Sequence, residues 1–174
     1  MSKSVGLIVS TNSACVWDCP NRPGLPALEK NGSGVDQWDI GYCYFGGITS
    51  WSPGGNTPNP PYSYSPVRLG KSQPSWCLAA DSLLWYNNKW LVQTIAGRPP
   101  LYQNVPPHLA SAGQAAGGNE VFCDGSVSWI KFQDMWRLTA YTGGEFSPTQ
   151  IYFYQDPNAS GFNSTLMSQL ASLK

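Results

Sequence analysis

The feature that most restricts the fold is the stretch Gly117-Gly118-Asn119-Glu120-Val121-Phe122-Cys123-Asp124-Gly125-Ser126-Val127-Ser128-Trp129-Ile130-Lys131, in which two short apolar runs flank Asp124-Gly125. Asp-Gly suits a type I′ hairpin turn, whose central residues both take positive φ; Gly does so freely and Asp tolerates it. A two-residue loop sets Cys123 opposite Ser126, Phe122 opposite Val127 and Glu120 opposite Trp129. One face then carries Phe122, Val127 and Trp129, the other Val121, Cys123, Ile130 and Phe132. Apolar residues on both faces predict an inner hairpin, covered on two sides.

The rest of the chain predicts a mainly β, α+β domain assembled around that hairpin. Only 11% of residues are charged, against about 25% in an average soluble domain. Gly (18), Pro (15), eight Trp and nine Tyr take their place, which favours turns, loops and aromatic packing over charged helices. The 174 residues suit a single domain over 1–174, and a chain of that size buries roughly 70% of its unfolded surface. Net charge is zero with no run of Lys or Arg, so electrostatic binding to nucleic acid or to an anionic membrane surface is not expected. No stretch is long and apolar enough to cross a bilayer, and residues 1–10 lack the basic flank and length of a secretory signal. A soluble chain follows, and low charge with many aromatics fits an exported one.

Along the chain, Val5 to Val9 fits either a short strand or a helix end. Cys19 to Pro26 is a Pro-stiffened irregular loop. Trp38, Ile40, Tyr42 and Tyr44 alternate in a strand that begins at Gln37 and ends at Gly46-Gly47. Residues 52–66, rich in Pro, Gly, Asn, Ser and Tyr, form a loop long enough to be functional or mobile. Ser75 to Ser82 is a buried strand, continued by Leu83 to Val92 through a turn at Asn87-Asn88. A Pro-rich loop over 97–107 leads to His108, and small residues run to Gly118. A helical turn is expected at Gln133 to Leu138 and a strand at Thr149 to Gln155. The tail has Asn163 or Ser164 as N-cap and an apolar stripe at Leu166, Met167, Leu170 and Leu173, which marks a short C-terminal helix.

The chemistry-bearing residues are sparse. There is one His, and Cys15 and Cys19 are the closest pair among five cysteines, so no zinc knuckle pair is present. Cys15 and Cys19 suit a local disulfide or remain thiols; an odd cysteine count leaves one unpaired in either case. Cys123 with His108 and Asp124 or Asp81 has the residue types of a thiol nucleophile site. Its placement in an apolar strand instead makes Cys123 a packing residue. Asp81 and Asp124 could supply oxygen ligands to calcium, without EF-hand spacing. His108 is expected to bond Asp124 or Asp81 and fasten its loop to the hairpin. Trp51, Tyr62 and Tyr64 border the long loop and are candidates for stacking on a sugar ring. Trp38, Trp76 and Trp129 fall in strand patterns and are expected in the core.

Several segments, in order, resemble one family. Val16-Trp17-Asp18-Cys19-Pro20-Asn21-Arg22-Pro23 is followed by Gln37-Trp38-Asp39-Ile40-Gly41-Tyr42 with Tyr44-Phe45-Gly46-Gly47-Ile48. Leu78-Ala79-Ala80-Asp81, Pro106-Pro107-His108 and Gly117-Gly118-Asn119 through Asp124-Gly125-Ser126 complete the set. Together they resemble the bacterial pilin-like or pseudopilin proteins with a prepilin-type cleavage/methylation N-terminus and an H-x9-DG C-terminal domain. In that pattern the His position falls at Gln114; fifteen residues lie between His108 and the Asp-Gly pair. The resemblance implies a β-rich extracytoplasmic head, periplasmic or at the cell surface, from which the family's apolar N-terminal membrane helix is missing. It implies assembly with other pilin-like subunits or type II secretion machinery, no catalysis and no cofactor. His108, Asp81, Gly117, Gly118, Asn119, Asp124 and Gly125 become structural residues. The alternative left open is a secreted carbohydrate-binding or adhesin module that uses Trp51, Tyr62 and Tyr64 on a polysaccharide.

Overall fold

One two-stranded ribbon, two four-stranded antiparallel sheets and a C-terminal helix make up the regular structure in the computed structural model. It describes residues 15–30, 36–47, 66–86, 89–91, 100–141, 149–158 and 161–172. In chain order the strands are β1 (Ala27–Lys30), β2 (Asp36–Asp39), β3 (Tyr42–Tyr44), β4 (Cys77–Asp81), β5 (Leu83–Tyr86), β6 (Lys89–Trp90), β7 (Gly117–Phe122), β8 (Val127–Lys131), β9 (Trp136–Tyr141) and β10 (Thr149–Phe153), followed by helix α1 (Ser164–Ala171). The ribbon is β1-β2; one sheet runs β3-β4-β7-β8 and the other β6-β5-β10-β9. The mainly β class with a short C-terminal helix is therefore as expected.

Only Ser82 separates β4 from β5, and a 3-10 turn over Phe132–Asp134 separates β8 from β9, so the chain passes twice between the sheets at close quarters. Phe45, Cys77 and Ala80 from the first sheet meet Leu138 and Phe153 of the second and Leu170 of α1 in a shared core. The Phe45 and Phe153 rings stack with centroids 4.0 Å apart, each buried ring contributing about 2–3 kcal/mol. Leu83 and Leu84 of β5 enter two further clusters, one with Trp90, Met135 and Tyr152, the other with Leu91 and Val105. Burial on successive residues means that β5 is covered on both faces. At the tail, Asn163 is the N-cap: its Oδ1 accepts from the Leu166 N–H at 2.9 Å, and Leu170 buries the middle of the predicted stripe.

The hairpin forms, with a register one residue from the expected one. Val121 faces Val127, Glu120 faces Ser128 and Asn119 faces Trp129. The Phe122 N–H donates to Ser126 O at 2.9 Å and the Gly125 N–H to Phe122 O at 3.0 Å, so the loop is Cys123-Asp124-Gly125. Only Gly125 takes the left-handed conformation, at φ +84°. Asp124 keeps an ordinary φ, and its Oδ1 accepts from the Ser126 N–H at 2.8 Å. This is the three-residue hairpin, a tight turn closed by a left-handed glycine. A one-residue slip turns every side chain of β8 to the other face. Val127 and Trp129 consequently join Asn119 and Val121 on the outward face, 61% and 46% exposed. The strand covered by neighbours is β7; β8 is an edge.

Four other expectations are corrected. The strand expected from Gln37 onward is two strands, because the chain turns at Ile40-Gly41 to leave the ribbon for the first sheet. Gly41 lies so close to the loop of residues 15–22 that an added Cβ would stand 2.6 Å from the Cys19 Cβ. Trp38, on the ribbon, is exposed rather than core, as is Trp129, whereas Trp76 packs partly buried on the shared core. The helical turn expected at Gln133 to Leu138 is the 3-10 turn over Phe132–Asp134, after which Trp136 already belongs to β9. Cys123 sits in the turn, half-buried, not inside a strand.

Two glycines of the hairpin separate crowding from conformation. At Gly117 (φ +149°) an added Cβ would collide with the Ile130 carbonyl oxygen of the paired strand, whereas at Gly125 nothing lies within 4 Å. Gly117→Ala is expected to lower stability by about 1–3 kcal/mol or more, and Gly125→Asn by about 1 kcal/mol or less. Urea unfolding of the two variants checks the order; equal losses would show that the Gly117 contact relaxes freely.

Candidate functional site

The outward face of the first sheet is built by alternation. Ala80 points into the shared core, so Ala79 and Asp81 point outward from β4. Tyr42 lies opposite Asp81, and Asn119 opposite Trp129, on the same side. Gly118 permits this approach, since a Cβ there would stand 2.9 Å from the Asp81 Cβ and 3.0 Å from Leu83 Cδ1.

Asp81, 3% exposed, is the centre of a hydrogen-bonded chain. Its Oδ2 accepts from the Asn119 backbone N–H at 2.7 Å, from Asn119 Nδ2 at 3.1 Å and from His108 Nε2 at 3.1 Å. A carboxylate only accepts, so Nε2 carries the proton in that bond. With Nε2 donating, Nδ1 is placed to accept from the Asn21 Nδ2, 3.2 Å away. The imidazole also stands edge-on to Trp129, with ring centroids 5.0 Å apart. The next residue, Arg22, is buried and donates to the Gly41 and Pro100 carbonyls at 3.4 and 3.5 Å. Four segments that are far apart in sequence are thus tied at one point.

His108 is fastened to Asp81 and not to Asp124. Asp124 lies at the far tip of the hairpin, fully exposed, where its bonds to Ser126 hold its carboxyl below the usual range. Five residues of extended chain, roughly 16 Å, separate it from Asn119, so the two aspartates expected to share a calcium ion do not meet. Among the described residues no three His, Cys, Asp or Glu side chains are grouped to hold a metal. Cys123 is equally remote from His108; burial, and then the Asp124 charge, push its thiol up, the opposite of nucleophile activation. Cys15 and Cys19 are not joined in a disulfide, and Cys19 is buried under Gly41. Gln114, at the nine-residue spacing, turns away from the cluster and accepts from Trp90 Nε1 at 3.4 Å. Trp51, Tyr62 and Tyr64 lie outside the described residues.

Sequence reasoning did not single out Asn21, Arg22 or Glu120. The signals were present: Asn21 and Arg22 stand in the Cys-Pro-Asn-Arg-Pro segment, and Glu120 interrupts an apolar strand. Glu120 faces the core and is fully buried. Its Oε1 accepts from the Tyr154 N–H at 2.6 Å, and its Oε2 has no hydrogen-bond partner among the described residues. Burial outweighs the Tyr154 bond and the neighbouring Cys77 thiol and raises its pKa from 4.5 to about 8. Asp39 is raised to about 6, first by burial and then by Glu29. No protein-family model, curated protein or solved structure gives a significant match to this chain.

Two stability predictions follow from these geometries. Folded Glu120 holds its proton above the pH at which the unfolded chain releases it, so stability should fall as pH rises from about 4.5 and level off above about 8. Asp39 adds in the same direction only up to about pH 6. Thermal unfolding of Glu120→Gln should therefore lack the decline between pH 6 and 8; a decline identical to that of the parent would exclude Glu120 as its source. Asp81→Ala leaves three donors without their acceptor and should cost about 2–4 kcal/mol in urea unfolding, with His108→Ala costing about 1 kcal/mol. Equal, small losses would mean that water replaces the carboxylate.

Proposed function

We propose that this chain is a non-catalytic, extracytoplasmic head domain of the pilin-like or pseudopilin kind, acting in filament assembly or surface contact. Its partners would be other pilin-like subunits or secretion machinery. The observation that carries this reading is where the motif residues meet. Asn21, Asp81, His108 and Asn119 come from four of the separate segments that resemble the family, and they form one hydrogen-bonded chain. Residues matched only by composition have no reason to bind one another; these do. A group wired in this way holds loops against a sheet. Both imidazole nitrogens are engaged in hydrogen bonds, which suits a fastening role.

The outward face of the same sheet supports a contact role. Its two edge strands carry Tyr44, 56% exposed, and Val127 and Trp129. Between them Ala79 and Val121 are half-buried. Apolar side chains grouped on one face, beside the β8 edge that is unpaired among the described residues, suit contact with a neighbouring protein. No helix among the described residues is long and apolar enough to cross a membrane.

Cell fractionation together with a photo-crosslinking residue at Val127 tests the reading on the gene product in its own cell. Recovery in the periplasmic or surface fraction, with adducts to pilin-like or secretion subunits, is the expected result. A cytosolic protein without such adducts would overturn it, as would a hydrolase activity that disappears in a folded His108→Ala variant.

A further inference from the structure

Beside the Asp81 fastener, the outward face of the first sheet opens into a cleft of about 550 Å³. Val16, Trp17, Pro20, Ala79 and Val121 give it largely apolar walls, under which Asn21, Tyr42, Asp81, His108 and Asn119 place their polar groups. The hydrogen-bonded chain determines which polar atoms remain for a ligand. All three bonds to Asp81 fall on Oδ2, so Oδ1 has no donor among the described residues. The side-chain nitrogens of Asn21 and Asn119 are turned inward to His108 and Asp81, which leaves both amide oxygens uncommitted among the described residues. Tyr42 donates its hydroxyl proton to Asp18 O at 3.2 Å and keeps its oxygen as an acceptor. His108 spends its Nε2 proton on Asp81. The Trp17 indole nitrogen is sealed from solvent.

What remains in the cleft is a carboxylate oxygen with neutral acceptor oxygens and aromatic and aliphatic walls. Among the described residues no Lys or Arg lines it; Arg22 is directed away, to the Gly41 and Pro100 carbonyls. We propose that the cleft binds a primary ammonium group on an apolar stem, as carried by a lysine side chain or a small alkylamine. The ammonium donates to Asp81 Oδ1 and to the amide oxygens of Asn21 or Asn119, and the stem lies along Trp17, Pro20 and Val121. An ammonium has three donors and no acceptor, which matches the polarity of the atoms left over. A neutral hydroxyl would leave the carboxylate charge uncompensated between apolar walls, whereas a cation pairs with it through a charge-assisted bond and is favoured beside aromatic rings. The site stands on this geometry alone and does not depend on the filament reading.

The test is an NMR titration of the full chain at constant ionic strength. The probes are n-butylammonium and Nα-acetyl-lysine N-methylamide, with n-butanol and methyl glucoside as neutral comparators. Both ammonium probes are expected to shift the side-chain amide signals of Asn21 and Asn119 and the Trp17 indole signal. Their Kd should be at least about tenfold below that of either neutral probe. A response to the lysine derivative alone identifies a lysine side chain as the source; a response to butylammonium alone identifies a free amine. Val121→Trp, which fills the cleft without touching the hydrogen-bonded chain, should abolish the shifts. The proposal is overturned if n-butanol binds as well as butylammonium or if methyl glucoside binds more tightly. Absence of these shifts, or their persistence in a folded Val121→Trp variant, overturns it equally.

Discussion

The Asp81 carboxylate is the constraint on which the arrangement depends. It sits at the end of an inner strand, one residue before the chain crosses from the first sheet to the second. A carboxylate at that depth is costly by several kcal/mol unless donors surround it. The donors are supplied by the start of β7 and by the His108 loop, and the His108 ring is in turn held by Asn21. Next to it, the Ser82 hydroxyl donates to the Gly41 carbonyl at 3.2 Å, which also accepts from Arg22. Solvating one buried charge therefore draws together the Cys15–Arg22 loop, the start of β3, the His108 loop and the β7 end of the hairpin.

On the inward side, polar stitches join the first sheet to the segment that leaves β10. The Cys77 N–H donates to Gln155 Oε1 at 3.0 Å, and the Tyr154 N–H to Glu120 Oε1 at 2.6 Å. Both acceptors are fully buried. Gln155 meets its backbone donor without a charge to desolvate. Glu120 makes a similar bond with a group whose pKa burial raises to about 8, so this seam between the sheets is sensitive to pH where the Gln155 seam is not.

Local chemistry was legible wherever one residue decides it. The Asn163 cap follows from capping preference, the strand over Thr149–Phe153 from a β-branched and aromatic run, and the strand over Cys77–Asp81 from a short apolar run. The hairpin at Asp124-Gly125 was legible, but its loop length was not. Asp-Gly serves a two-residue loop with both residues at positive φ and a three-residue loop with only Gly there, and the choice rests on strand pairing. That single residue of register carried Trp129 from an expected core position to the outward face beside His108. In the same way, the aromatic alternation from Trp38 to Tyr44 concealed a break at Gly41, which only the close passage of Cys19 requires.

By itself the sequence determined the β-rich class, the turn and cap positions, the scarcity of charge and the few residues able to do polar work. These depend on backbone preference and composition, which act over a few neighbouring residues. Tertiary structure alone decided that His108 pairs with Asp81 and not with Asp124, and that Asn21 completes the chain. It also decided that Glu120 faces the core and that one face of a sheet stays open as a cleft. Those outcomes depend on which strands become neighbours and on which face each presents. Both are settled by long-range burial, for which short stretches of sequence carry no code.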